Sequence, residues 1–242
     1  MKIIPLSEGA FTVDKTKQFI PFDKEHDNLQ QRSTGSLLVE IQPFAIITAT
    51  DIIILDTGLG FKNKEGFMQL HQSLAIHNIK PQQVTKVLIS HLHKDHAGGI
   101  TSEKNTLSFP SAIYYVSRQE LAFALDKTNS SYIIKDFEIL QKENRVILLE
   151  EKGEIDEYIS YEISGGHCPY HTVYWIKENN ETIFYGGDVA PQLQQMKNRF
   201  VAKYDFDGKK SMELRTGWWK QAEQAHWTLL FYHDIKTPYI TV

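Results

Sequence analysis

Four side chains within positions 91–96, His91, His93, Asp95 and His96, carry atoms that bind transition metals. They sit in His91-Leu92-His93-Lys94-Asp95-His96, and Ala97-Gly98-Gly99 follows. Imidazole and carboxylate suit zinc, and also iron, manganese or cobalt. The run 84–90 just before them is short and apolar, so it reads as a buried strand delivering its C-terminal end into a loop. At an extended strand end, residues two apart point to the same side, so His91 and His93 can face one ion. Asp95 and His96, in the turn beyond, can face a second point nearby. Gly98 and Gly99 let the backbone leave this crowded place without side-chain clashes. The bland alternative is a surface loop that happens to be rich in histidine, and the position at the end of a buried run speaks against it.

The elements that must position these residues can be read from pattern. Segments 36–41, 44–49 and 52–55 are rich in β-branched and aromatic residues and predict strands. Asp56-Thr57-Gly58-Leu59-Gly60 breaks the last of them. Phe67, Leu70, Leu74 and His77 recur at helical spacing over 64–78, and Pro81 stops that run. Further strands are predicted over 114–117, 146–149, 158–163, 172–176, 182–185 and 228–232. Helices are predicted over 121–125, 131–142 and 210–225, the first opened by a capping box of Ser117 and Glu120. This order suggests an α/β or α+β layered fold with helices outside packed sheets.

The motif His-x-His-x-Asp-His followed by Gly-Gly resembles the signature of the metallo-β-lactamase superfamily. Other segments fit that resemblance in order: Ile54-Leu55-Asp56-Thr57-Gly58, Gly166-His167-Cys168-Pro169-Tyr170-His171, Phe184-Tyr185-Gly186-Gly187-Asp188 and Phe231-Tyr232-His233-Asp234. The match runs from about residue 36 to 234 and implies one domain over 1–242. The implied fold is α+β, a four-layer αββα sandwich of two mixed β-sheets flanked by helices. The resemblance also implies two divalent metal ions, zinc first and iron or manganese as alternatives. His91, His93 and His167 would hold one ion, Asp95, His96 and His233 the other, and Asp188 would bridge them. Five neutral histidines and two carboxylates supply −2 against +4, and a bridging hydroxide leaves an electrophilic centre that favours an anionic transition state.

The chemistry implied is attack by that hydroxide on an ester, thioester, lactone, amide or phosphoester, with Asp95 and Asp188 as the catalytic carboxylates. Asp95 would also pass a proton to the leaving group. Asp56 is a candidate partner for the outer nitrogen of a ligand histidine, or else a turn aspartate bonded to its own backbone. For His171 a supporting role behind the ligands is preferred to direct coordination. Cys168 reads as a packing residue in preference to a nucleophile. His26, His71, His77 and His226 are not expected to be ligands. Segments 8–35 and 191–207 are irregular and are candidates for pocket walls.

In its look the chain is nearest to small bacterial N-acyl homoserine lactone lactonase-like members. These have a tyrosine three residues after the bridging aspartate, where this chain has Pro191. A metal-containing regulator with little turnover, or a mononuclear iron enzyme of the persulfide dioxygenase type, is the alternative. The 242 residues are 41% hydrophobic and carry a net charge of −4. That balance gives no reason to expect a nucleic-acid partner. No stretch approaches the ~20 apolar residues of a membrane span. The single cysteine and the absence of an apolar leader near the N-terminus fit a cytoplasmic protein. The expected partner is a small-molecule substrate, with a homodimer allowed.

Overall fold

Alternate residues of the central strands enter different apolar clusters. Phe44, Ile46, Ile53, Leu55 and Leu88 point into one, while Ala45, Ile54, Val87 and Ile89 point into another. A period of two with both faces covered is why these strands read as unbroken apolar runs. The computed structural model describes residues 1–102, 105–127 and 130–242.

One six-stranded sheet has the order Lys2–Pro5, Phe44–Ile47, Ile52–Leu55, Lys86–Leu88, Ile113–Ser117, Val146–Leu149. The other runs Lys152–Ile155, Ile159–Ile163, Thr172–Glu178, Glu181–Tyr185, Thr228–Leu230, Tyr239–Thr241. A smaller sheet of Phe19–Pro21, Gly9–Val13 and Leu37–Ile41 stands beside them. The two large sheets face each other across a core that includes Leu55, Leu88, Tyr174, Ile176, Tyr185 and Tyr232. Helices Gln69–Ile76 and Arg118–Leu125 cover the outside of the first sheet through Leu70, Leu74, Leu121 and Ala124. Helix Gly208–Ala225 covers the second through Trp218 and Ala222, packed with Phe184 and Leu229. The result is the α+β, four-layer αββα sandwich that the sequence resemblance implies.

Each large sheet contains parallel neighbours. Ile52–Leu55 runs parallel to Lys86–Leu88, and Glu181–Tyr185 runs parallel to Thr228–Leu230. Parallel neighbours end at the same edge, and ligands in α/β folds gather outside such carboxyl ends. Asp56, His91, Asp188 and His233 follow these four strands.

Several elements differ from the sequence expectation. The helix expected over 64–78 is Gln69–Ile76 only, because the Asn63 carboxamide oxygen accepts from Glu65 N and Phe67 N and ties 63–67 into a turn. The segment 131–142 forms one turn of α-helix, Ile134–Phe137, and then a 3-10 turn, Glu138–Gln141. The edge strands Lys2–Pro5, Lys152–Ile155 and Tyr239–Thr241 gave no sequence signal, being short and mixed in polarity. Among the described residues no helix is long and apolar enough to cross a membrane.

Candidate metal centre

The loop after Lys86–Leu88 brings Ser90, His91, His93, Asp95 and His96 to the sheet edge, the last two on a single helical turn, Lys94–Ala97. His167 comes from the loop after Ile159–Ile163, Asp188 from the turn Gly187–Val189, and His233 from the segment after Thr228–Leu230. All seven expected ligand residues converge. Ligand atoms lie within 4.8 Å of one another in three overlapping groups: His91, His93 and His167; His91, His96 and Asp188; Asp95, His96 and His233.

Around the first point, His91 Nε2 and His93 Nδ1 are 3.0 Å apart, and His167 Nε2 is 3.1 Å from the same His93 atom. Around the second, Asp95 Oδ2 lies 3.7 Å from His96 Nε2 and 3.6 Å from His233 Nε2. Asp188 stands between them. Its Oδ1 is 3.1 Å from His96 Nε2 and 3.0 Å from His233 Nε2, while Oδ2 is 3.3 Å from His167 Nε2. Nitrogens bound to one tetrahedral zinc at ~2.0–2.1 Å lie ~3.3 Å apart, so this spacing suits a shared cation. His96 Nε2 and Asp188 Oδ1 are buried without a hydrogen bond of acceptable direction. Orphaned polar atoms of this kind are costly unless something else binds them. The donor set of five imidazoles and two carboxylates therefore fits two divalent ions of the zinc, iron or manganese type.

A layer of oxygens behind the ligands fixes which nitrogen faces inward. Asp56 is fully buried and accepts from Ser90 N at 2.7 Å, Ser90 Oγ at 2.6 Å, Tyr185 OH at 2.5 Å and His96 Nδ1 at 2.8 Å. Ser90 gives its only hydroxyl proton to Asp56, so its oxygen accepts from His91 Nδ1 at 3.0 Å. His167 Nδ1 donates to Asp205 Oδ1 at 2.9 Å, and His233 Nδ1 to the Glu40 carbonyl at 2.7 Å. Four imidazoles thus turn Nε2 inward, the arrangement that orients metal-binding histidines. His93 differs and presents Nδ1.

His171 accepts from Asp188 N through Nε2 at 3.1 Å, so it holds the Asp188 backbone. Gly187 leaves room for that ring, since a Cβ there would meet His171 Nε2 at 2.6 Å. Cys168 donates to Glu120 Oε2 at 3.5 Å, and burial, then the Glu120 charge, keep its thiol protonated well above the ordinary range. The Ser117–Glu120 capping box forms only in half. Ser117 Oγ accepts from Glu120 N, but the Glu120 carboxylate turns inward to Leu92 N, Tyr132 OH and Cys168.

Electrostatics follow the same division. Burial, helped by neighbouring imidazoles, holds His91 and His93 well below the usual histidine pKa. Burial opposes charge on His96 too, but Asp188, Asp95 and Asp56 outweigh it and raise its pKa well above the usual value. His233 is raised in the same sense, chiefly by Asp188 against burial. Burial would push Asp188 up, yet His233, His96 and His167 hold it well below the carboxylate range.

The centre opens into a cavity of about 1090 Å³, with Asp95, His167, Asp188 and His233 on its floor. Its walls come from both segments expected to be irregular, including Lys17, Phe19 and Arg32 from the first and Phe200, Tyr204 and Phe206 from the second, although the first holds strands Gly9–Val13 and Phe19–Pro21 and the second helix Leu193–Lys197. His26 is exposed, pairs with Asp23 and is not among the lining residues. Sequence reasoning missed Asp205, Tyr132 and the Glu40 carbonyl. Asp205 lies in a stretch without periodicity, and a backbone oxygen leaves no signature in side-chain type.

A fold of this kind with histidines and aspartates at this edge defines a class, and the chain belongs to it: the family model of the metallo-beta-lactamase superfamily matches residues 41–240. Among solved structures, the chain resembles a "probable metal-dependent hydrolase" from Staphylococcus aureus at 24% identity and TM-score 0.81, over 99% of this chain and 91% of that one. AbOPH, a hydrolase in the beta lactamase superfamily, matches at 23% identity and TM-score 0.77, over 99% and 89%. AidC, a dizinc quorum-quenching lactonase, matches at 18% identity and TM-score 0.74, over 98% and 88%. Among curated proteins, none matches the chain in sequence.

Proposed function

We propose that this protein is a hydrolase of small ester-like substrates that works with two divalent metal ions, zinc foremost. The observation that carries this reading is Asp188, whose two oxygens divide between His96 with His233 on one side and His167 on the other. His91, His93 and His167 would hold one ion, and Asp95, His96 and His233 the other. When bound, the ions would activate water as a nucleophile near neutral pH and polarise the carbonyl or phosphoryl oxygen of the substrate.

The remaining chemistry belongs to the chain. Asp56, Asp205, Ser90 and the Glu40 carbonyl keep protons on the outer histidine nitrogens and so keep the inner lone pairs free. Asp95 would carry a proton to a departing alkoxide or thiolate through one carboxylate oxygen, a role supported by its position in the cavity lining. Tyr232 OH donates to the Asp95 carbonyl at 2.5 Å and its ring stacks on His96, which limits the freedom of both. The lactonase AidC among its structural relatives supports lactones as one substrate class. Pro191 in the place of the lactonase tyrosine means that any contact to the substrate carbonyl must come from elsewhere in the cavity.

The test is metal content by plasma mass spectrometry on wild type and Asp188→Ala, paired with hydrolysis of lactones, thioesters, carboxylic esters and phosphoesters. Two metals per wild-type chain, reduced occupancy in the variant and metal-dependent turnover are expected. One iron per chain would point instead to a mononuclear oxygenase. Two metals without turnover on any substrate would favour a binding or regulatory role.

A further inference from the structure

The cavity above the metal centre is cationic in a chain whose net charge is −4. Lys15, Lys17, Arg32, Lys94, Lys127 and Lys203 all line it. Among the described residues none of these six has a carboxylate within ion-pair distance, whereas Lys24, Lys86, Arg118 and Lys209 elsewhere each do. The acids on the same walls are already engaged. Asp95 and Asp188 face the histidines of the centre, Asp205 accepts from His167, and Asp14 accepts from Thr16 N and Oγ1.

Two of the cations stand beside the centre. Lys94 lies between two candidate ligands in sequence, and its ammonium donates to the Lys17 carbonyl and sits 5.5 Å from the Phe19 ring centre. Lys94 is part-buried, and Lys17 lies within electrostatic range of both Lys94 and His93. Lys17 is held with φ at +59°, a conformation unusual for a residue with a Cβ, so its turn presents the side chain at a conformational cost. Two like charges left unpaired beside an electrophilic centre repel each other, and an anion between them relieves that repulsion.

We propose that the substrate carries a carboxylate or phosphoryl group close to its scissile bond, and that Lys17 and Lys94 bind this anion at the wall of the metal centre. This rests on the hydrolase reading above and narrows it: neutral lactones and esters are poor substrates beside their anionic counterparts. The outer cations Arg32 and Lys203 add attraction over the Debye length of ~8–10 Å.

The test compares matched aryl acetates on the zinc-loaded protein: methyl 4-acetoxybenzoate, 4-acetoxybenzoate and 4-acetoxyphenylphosphonate, each corrected for its rate with hydroxide. The anionic esters are expected to exceed the neutral one in kcat/KM by roughly tenfold, a ratio that corresponds to ~1.4 kcal/mol. The advantage should shrink with added salt, be lost in Lys17→Gln and return in Lys17→Arg, with the rate of each variant on the neutral ester as its own reference. The larger of the carboxylate and phosphonate advantages identifies the anion. No preference in wild type, or a preference unchanged in Lys17→Gln, overturns the proposal while leaving the hydrolase reading intact. If no ester is hydrolysed, the hydrolase reading fails, and calorimetric titration with 4-methoxyphenylphosphonate, which has no scissile bond, decides the anion site alone. Binding weakened about tenfold by Lys17→Gln at unchanged metal content supports the site, and equal binding overturns it.

Discussion

A histidine binds a cation only through a nitrogen without a proton, so the oxygens behind the centre decide as much as the histidines in it. Asp205 is the clearest case, because its buried carboxylate is the partner given to His167 Nδ1. Asp205→Asn should weaken metal binding by about 10–100-fold, as loss of such partners does elsewhere. Competition with a chromophoric chelator measures this, and unchanged affinity would show that His167 is oriented by packing alone. The raised pKa values of His96 and His233 belong to the ion-free site, where carboxylates hold protons on them. Near neutral pH a metal must displace those protons, so affinity should fall as pH falls. Calorimetry of zinc binding in buffers of different ionisation enthalpy should report about one to two protons released per chain. A release of none would mean that the two rings are already neutral.

At the scale of elements, the turn 56–60 has to fit under both the ligand loop and the first strands. Gly60 has φ at +70°, and a Cβ there would meet the Gly98 carbonyl oxygen at 2.2 Å. Gly60→Ala should therefore cost at least about 2 kcal/mol in denaturant unfolding, through both the backbone conformation and the clash. Glu8 fastens the same turn from the other side. Its Oε2 accepts from Leu59 N at 2.6 Å, while Oε1 is buried without a partner. Burial raises its pKa to about 7. Between about pH 4.5 and 7 the folded state then holds a proton that the unfolded chain has released, so stability falls as pH rises through that window. The loss is up to about 3 kcal/mol. Glu8→Gln removes the titration, and its melting temperature should be flatter across this range than that of wild type. Parallel profiles for the two proteins would place the pH dependence elsewhere.

Across the whole molecule, the candidate ligands come from both halves of the sandwich. His91, His93, Asp95 and His96 follow a strand of the first sheet, and His167, Asp188 and His233 follow strands of the second. Metal bound here ties the two sheets together and binds the folded chain only. At a free concentration a thousand times Kd it should add about 4 kcal/mol of stability. For a chain of this size that is roughly 10 °C in Tm. Removing metal with a chelator and restoring it, followed by calorimetry, measures the shift, and equal melting temperatures would count against a site shared by the sheets.

The sequence alone determined a layered fold of sheets and helices and the histidine cluster at 91–96, because both leave local marks, while the four-layer sandwich and the places of His167, Asp188 and His233 followed from resemblance to a family. Buried strands must be apolar on both faces, and metal ligands must be histidine or carboxylate at the end of such a strand. The short edge strands were not legible, since their pairing with neighbours rather than their composition makes them strands. Asp205 behind His167, the inward turn of Glu120, the odd nitrogen of His93 and the gathering of six unpaired cations on one cavity were decided only by tertiary structure. Each depends on distances between segments far apart in the chain, and residue type carries no record of which distant atoms a side chain will meet.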